Sequence, residues 1–152
     1  MRSLSWLVAS VLLAIACARA QPDAEEAARA EADHQRMLAQ VEATHARYRA
    51  VLEAFLQALA ARQPDAAYAL LAPVYQHGVS QASFAQRIAH NENFAQAAPV
   101  RVLGTSSQAG LTKVRAVLGQ LGLAEVSFVE GAGGPRISAL TLAGAPALPL
   151  PQ

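Results

Sequence analysis

The stretch LTKVRAVLGQLGLAEVSFVEGAGGPRISALTL, residues 111–142, alternates apolar and polar side chains between breaks that contain glycine. Alternation with a period of two is typical of strands with one buried face, and the glycine-containing breaks favour hairpins. Together with the preceding residues it predicts four antiparallel strands, at 100–105, 111–118, 123–130 and 136–142. The predicted inward face carries Val114, Ala116, Leu118, Val126, Phe128 and Ile137, and the outward face carries Lys113, Arg115, Glu125 and Ser127.

The chain before this stretch has a helical pattern. Apolar or semi-apolar residues recur every three or four positions after Pro22, at Met37, Val41, Thr44, Tyr48, Val51, Phe55 and Leu59. This spacing predicts one long helix over 21–61, with a solvated first half and a second half packed on a core. A short helix over 65–71, a loop over 73–78 and a third helix capped by Ser80 should follow. The predicted fold is α+β: a long N-terminal helix plus two short helices packed on a curved four-stranded antiparallel sheet.

The first twenty residues have the pattern of a secretory signal peptide. Arg2 precedes an apolar run, and Ala18-Arg19-Ala20 provides small residues for cleavage. The sequence therefore predicts a secreted or periplasmic domain. A rival interpretation is lipidation at Cys17, because Ala14-Ile15-Ala16-Cys17 is similar to a bacterial lipobox, and the protein would then be anchored to the bacterial envelope.

Length and composition limit the remaining possibilities. The 152 residues suit one small domain, and a formal net charge of +1 argues against nucleic-acid binding. The predicted organisation is a signal peptide at 1–20, a solvated helical extension at 21–44, an α+β domain at 45–145 and a proline-rich tail at 146–152. The only cysteine lies in the first of these segments, so a chain cleaved after Ala20 has no disulfide or thiol chemistry.

Four segments carry a resemblance to a known family. They are VLEAFLQAL at 51–59, PDAAYALL at 64–71, VSQASF at 79–84 and GPRISAL at 134–140. In this order they resemble the NTF2-like (SnoaL-like, cystatin-like α+β cone) superfamily, here as a secreted bacterial member. The last segment lacks the tryptophan usual there. The resemblance implies a curled sheet closed by helices, a fold that serves isomerases, cyclases, dehydratases and non-catalytic binding modules alike.

Catalytic chemistry is not predicted by the strand residues. The resemblance implies that enzymes of this superfamily place an Asp, His or Tyr inside the cone, whereas the inward strand positions here are apolar. Glu125 is predicted on the outward face and Glu130 at a strand end. His34 and His45 are too far apart on one helix to share an ion. We therefore predict no catalytic residue, no metal site and no cofactor.

Three helical-region side chains are the candidate ligand-binding residues: Tyr48 on the long helix, and Tyr75 and His77 near the predicted opening of the cone. The alternative interpretation of Tyr75 and His77 is an ordinary loop tyrosine and an exposed histidine. The predicted function is an exported non-catalytic domain that binds a small apolar ligand or a protein partner, with a homodimer through the sheet face as one form of partner. The alternative is a small enzyme of the isomerase or cyclase type that transfers protons through tyrosine and histidine.

Overall fold

A computed structural model describes residues 22–89, 94 and 96–148 of the chain. The chain groups into two compact units that divide after Glu42. The predicted signal peptide, Cys17 and the last four residues of the predicted tail lie outside the described residues.

The long helix, α1, spans Pro22–Ala60. In the first unit its side chains from 24 to 42 are exposed, and Met37 and Val41 retain 62% and 46% exposure. In the second unit the same apolar stripe is buried from Tyr48 onward. The helix therefore contributes to the core of the second unit with its C-terminal part, through Tyr48, Leu52, Phe55, Leu56 and Leu59.

Three short helices follow: α2 at Pro64–Ala69, α3 at Pro73–Gly78 and α4 at Gln81–Ile88. The prediction of a loop over 73–78 was wrong. Pro73 stands in the first turn of α3, where a missing N–H and a fixed φ favour a helix rather than end one. The prediction for α4 is confirmed, since the Ser80 side chain accepts a hydrogen bond of 3.2 Å from the Ser83 N–H.

The sheet contains β1 (Val100–Gln108), β2 (Leu111–Leu118), β3 (Gly122–Gly131) and β4 (Gly134–Leu142), each antiparallel to the next. The predicted α+β class is confirmed. A two-residue strand, β5 (Ala145–Pro146), also pairs with the end of β4. β1 runs three residues beyond its predicted end because Ala109 and Gly110, both at positive φ, form a two-residue turn that allows pairing up to Gln108.

The inward face of the sheet matches the predicted one. Its six predicted side chains are at most 1% exposed, and they form one core with residues of the helices. The link between α2 and α3 is fixed to β4 by two backbone hydrogen bonds, Ala72 N–H to the Ile137 carbonyl at 2.7 Å and Ile137 N–H to the Leu70 carbonyl at 3.0 Å. The opposite face, with Lys113, Arg115 and Glu125, is exposed. All helices that contribute to this core therefore cover the inward face.

Candidate functional site

Tyr48 lies on the apolar stripe of α1 and brings a polar hydroxyl group into the core. Its ring packs on Phe128 with centroids 5.0 Å apart, and the residue is 5% exposed. The hydroxyl donates a 2.8 Å hydrogen bond to Glu130 Oε1 and lies 3.2 Å from Thr112 Oγ1, also in hydrogen-bond contact. A buried phenol thus has partners on two neighbouring strands, which removes the cost of burying it.

Two further side chains extend this arrangement to the surface. Thr112 Oγ1 lies 2.8 Å from Ser107 Oγ on β1, and Arg47 Nη2 donates to Glu130 Oε2 at 2.7 Å. We call the five residues the polar chain: Ser107, Thr112, Tyr48, Glu130 and Arg47. Each oxygen of the Glu130 carboxylate is occupied by one donor. Since Arg47 and Glu130 keep about half of their side-chain surface in water, their ion pair contributes at most about 1 kcal/mol.

The electrostatics of the polar chain keep Tyr48 protonated at neutral pH. Burial raises the pKa of Tyr48, the hydrogen bond with Thr112 opposes this, and the bond and charge of Glu130 add to it. Proton transfer is most efficient when the pKa of the group lies near the working pH. The arrangement therefore makes Tyr48 a hydrogen-bond donor between helix and sheet, and a poor acid or base.

The other two predicted ligand-binding residues lie in different surroundings. Tyr75 on α3 is 2% exposed and meets the Phe84 ring edge-on at 6.5 Å, so the interpretation as a loop tyrosine was wrong. Burial raises the pKa of Tyr75 to about 12, with the nearby charge of Arg87 opposing the shift. His77 is exposed in the last turn of α3. The structure groups Tyr48 with Thr112 and Glu130, and Tyr75 with Phe84; ligand binding by these residues stays a prediction.

Glu130 and Thr112 were not among the predicted site residues. The alternation of inward and outward positions along β2 and β3 nevertheless indicates which face they occupy. Thr112 precedes the inward Val114 by two positions, and Glu130 follows the inward Phe128 by two. Strand periodicity therefore places both on the inward face. Glu130 was predicted only at a strand end.

The described residues also form a shallow groove of about 370 Å³ between the end of α1 and the start of α2. It shares no residue with the polar chain and is lined by Ala54, Gln57, Ala58, Ala61, Gln63, Ala66 and Leu70. In the described part of the chain, the inward face of the sheet, in contrast, lines no groove. Val114 and Val126 have no exposed surface and Phe128 has 1%, so these side chains line no cavity of ligand size.

Within residues 22–89, 94 and 96–148, no three His, Cys, Asp or Glu side chains lie close enough to hold a metal ion. None of the described helices is both long and apolar enough to cross a bilayer.

The fold is that of an α+β domain with helices on one face of an antiparallel sheet. Comparisons of the chain with protein-family models, with curated proteins and with solved structures found no match. The likeness to the NTF2-like superfamily therefore stays a prediction from the four sequence segments given above.

Proposed function

We propose that residues 43–148 form a non-catalytic, NTF2-like binding module that associates with a second copy of the chain through the outward face of its sheet. The observation that carries the proposal is Leu123, a large apolar side chain that is 54% exposed at the start of the outward row of β3.

Leu123 belongs to an apolar centre with a charged border. Its cross-strand neighbour is Val117, whose own neighbour on β1 is Arg101. The next outward row pairs Arg115 with Glu125. Leu103, at the irregularity in β1, adds a second large apolar side chain that is 45% exposed. Apolar side chains surrounded by arginines and other polar groups are typical of protein interfaces.

The interior of the module favours this role over a ligand cavity or an active site. The inward strand side chains fill the space against the helices, and the polar chain satisfies its own hydrogen bonds. A small apolar ligand needs a concave pocket of several hundred Å³. The side chains that were predicted to line such a pocket are in contact with one another instead.

The proposal includes export from the cytoplasm, on the pattern of residues 1–20 alone. Mass spectrometry of the chain recovered from the producing cell distinguishes the two forms of export. A free N-terminus at Gln21 supports cleavage after Ala20, whereas a lipid-modified Cys17 supports the envelope anchor.

Sedimentation of the exported chain tests the association. We expect the wild-type chain to be a dimer at about 0.1 mM. Leu123→Asp places a charge in the apolar centre and should give a monomer. Val74→Asp is the matched control, because Val74 is 66% exposed on α3, which belongs to the helical layer. That variant should stay dimeric.

Circular dichroism must show that both variants are folded. The proposal is overturned if the wild-type chain is a monomer across the concentration range, or if Leu123→Asp leaves the dimer intact. Equal loss of the dimer in the Val74→Asp variant would point to an interface on the helical layer instead.

A further inference from the structure

We infer that the outward sheet face of one molecule receives the apolar stripe on the N-terminal part of α1 of a second copy. The inference rests on the proposed function and names the part of the second copy that covers the outward sheet face. It begins from three large apolar side chains that lie close together in the first unit, Met37 at 62%, Leu38 at 49% and Val41 at 46% exposure. We call these three residues the helix stripe.

The helix stripe has acidic residues on both sides. At about 100° per residue, Asp33 and Glu26 lie along one flank of the stripe and Glu31 and Glu42 along the other. The two arginines of this segment, Arg29 and Arg36, lie on the back of the helix, where they bond to Glu25 and Asp33 at 3.4 and 3.0 Å. This part of α1 is therefore an amphipathic helix whose apolar face is bordered by negative charge.

The charges argue against pairing of this helix with its own copy. Residues 24–42 contain five acidic side chains and two arginines. Two such helices joined along their stripes would bring acidic flanks against acidic flanks, and like charges beside a helical seam disfavour pairing. The surface that fits must be apolar at its centre and basic at its border.

The outward sheet face has these properties. Leu123 and Val117 supply the apolar centre, and Arg101 and Arg115 supply the basic border. Neither arginine forms an ion pair with any residue in the described part of the chain. Lys113, also on this face, lies 3.2 Å from Glu125. Two basic groups thus remain available for the acidic flanks of the helix stripe.

In such a dimer the helix stripe and the outward sheet face of both copies are used. The α1 stripe of each copy would lie on the sheet of the other, so each copy would contribute one stripe and one sheet face to the dimer. Helices pack on sheets in this way within single domains, with one apolar stripe on one apolar face.

Charge reversal of the two surfaces tests the inference. In the helix variant, Asp33→Arg and Glu42→Arg change one residue on each flank. In the sheet variant, Arg101→Glu and Arg115→Glu change the border of the face. All four positions are exposed, so both variants should fold. Each variant alone should show a dimer dissociation constant raised at least about tenfold. An equimolar mixture should form a heterodimer, because each helix then meets a sheet of opposite charge.

Glu25→Arg on the back of the helix is the control and should leave the dimer unchanged. The inference is overturned if the mixture does not associate, or if the helix variant dimerises as well as the wild-type chain. If Leu123→Asp still abolishes the dimer in that case, the sheet face remains an interface and only its occupant is wrong. A wild-type monomer would instead overturn the proposed function and the inference together.

Discussion

The phenol oxygen of Tyr48 lies 2.8 Å from Oε1 of Glu130, although 82 residues separate the two in the chain. This bond joins the C-terminal part of α1 to the end of β3, and Thr112 on β2 shares the same hydroxyl. The polar chain therefore fixes how the helix lies on the sheet at one end of the core. Apolar contacts alone specify such an alignment less sharply, since they have little directional preference.

Removal of this hydroxyl should weaken the fold without opening the core. Tyr48→Phe keeps the ring on Phe128 but leaves Thr112 and Glu130 without their shared partner. We expect the free energy of unfolding to fall by about 1–2 kcal/mol, measured in urea. Arg47→Ala removes the exposed ion pair with Glu130 and the contact of the guanidinium with the Tyr48 ring, 6.0 Å from its centroid, and should cost about 1 kcal/mol or less. A Tyr48→Phe variant as stable as the wild-type chain would show that water replaces the phenol.

Tyr75 should make the domain less stable in alkaline solution. Its pKa is raised to about 12 in the folded chain, against an ordinary value of 10.0, chiefly because it is buried. Between these two values the unfolded chain loses the proton and the folded chain keeps it. The free energy of unfolding should therefore fall as the pH rises from 10 toward 12, by at most roughly 2–3 kcal/mol from this group.

Tyr75→Phe isolates that contribution. Urea unfolding at a series of pH values should show a shallower alkaline loss in the variant than in the wild-type chain. Difference absorbance of the phenolate supplies a second readout. Equal slopes in the two proteins would mean that Tyr75 ionises at its ordinary pKa.

The sheet could be predicted because its strands have one apolar and one polar face, a pattern that two-residue periodicity reveals directly. The same periodicity places Thr112 and Glu130 inward, but the partner that makes burial of these groups acceptable is Tyr48, far away in sequence. No local pattern contains that pairing. The helical turn at 73–78 was missed for a different reason, since Pro73 is equally compatible with the end of one element and the start of the next.

The helical spacing alone does not decide that Met37 and Val41 are exposed, although both lie in the predicted solvated extension at 21–44. Their spacing continues the stripe that buries Tyr48 and Phe55. Periodicity reports which face of a helix is apolar, whereas burial depends on which other element is within reach of that face.

Phe84 should be a position of the helical layer that is sensitive to truncation. It has no exposed surface, and its ring lies 5.6 Å from that of Tyr68 and 6.5 Å from that of Tyr75. Phe84→Ala leaves a cavity between three helices and should cost about 3–5 kcal/mol in urea unfolding. Val74→Ala, an exposed apolar truncation in the same layer, should change the free energy of unfolding by no more than about 0.5 kcal/mol. Similar costs for both would contradict the assignment of Phe84 to the core.

Gly119 should tolerate no side chain. It begins the 3-10 turn between β2 and β3 at a φ of 42°. Its N–H donates a hydrogen bond of 2.9 Å to the Pro99 carbonyl. A Cβ at this position would collide with the carbonyl oxygens of Gln96 and Ala98, which are backbone atoms and cannot rotate away. Gly119→Ala should therefore cost at least about 2 kcal/mol from strain at positive φ and from displacement of backbone. Gly104→Ala is the matched control, because a Cβ there meets nothing within 4 Å. Urea unfolding of the two variants should separate them clearly, and equal stabilities would show that the segment before β1 moves aside at little cost.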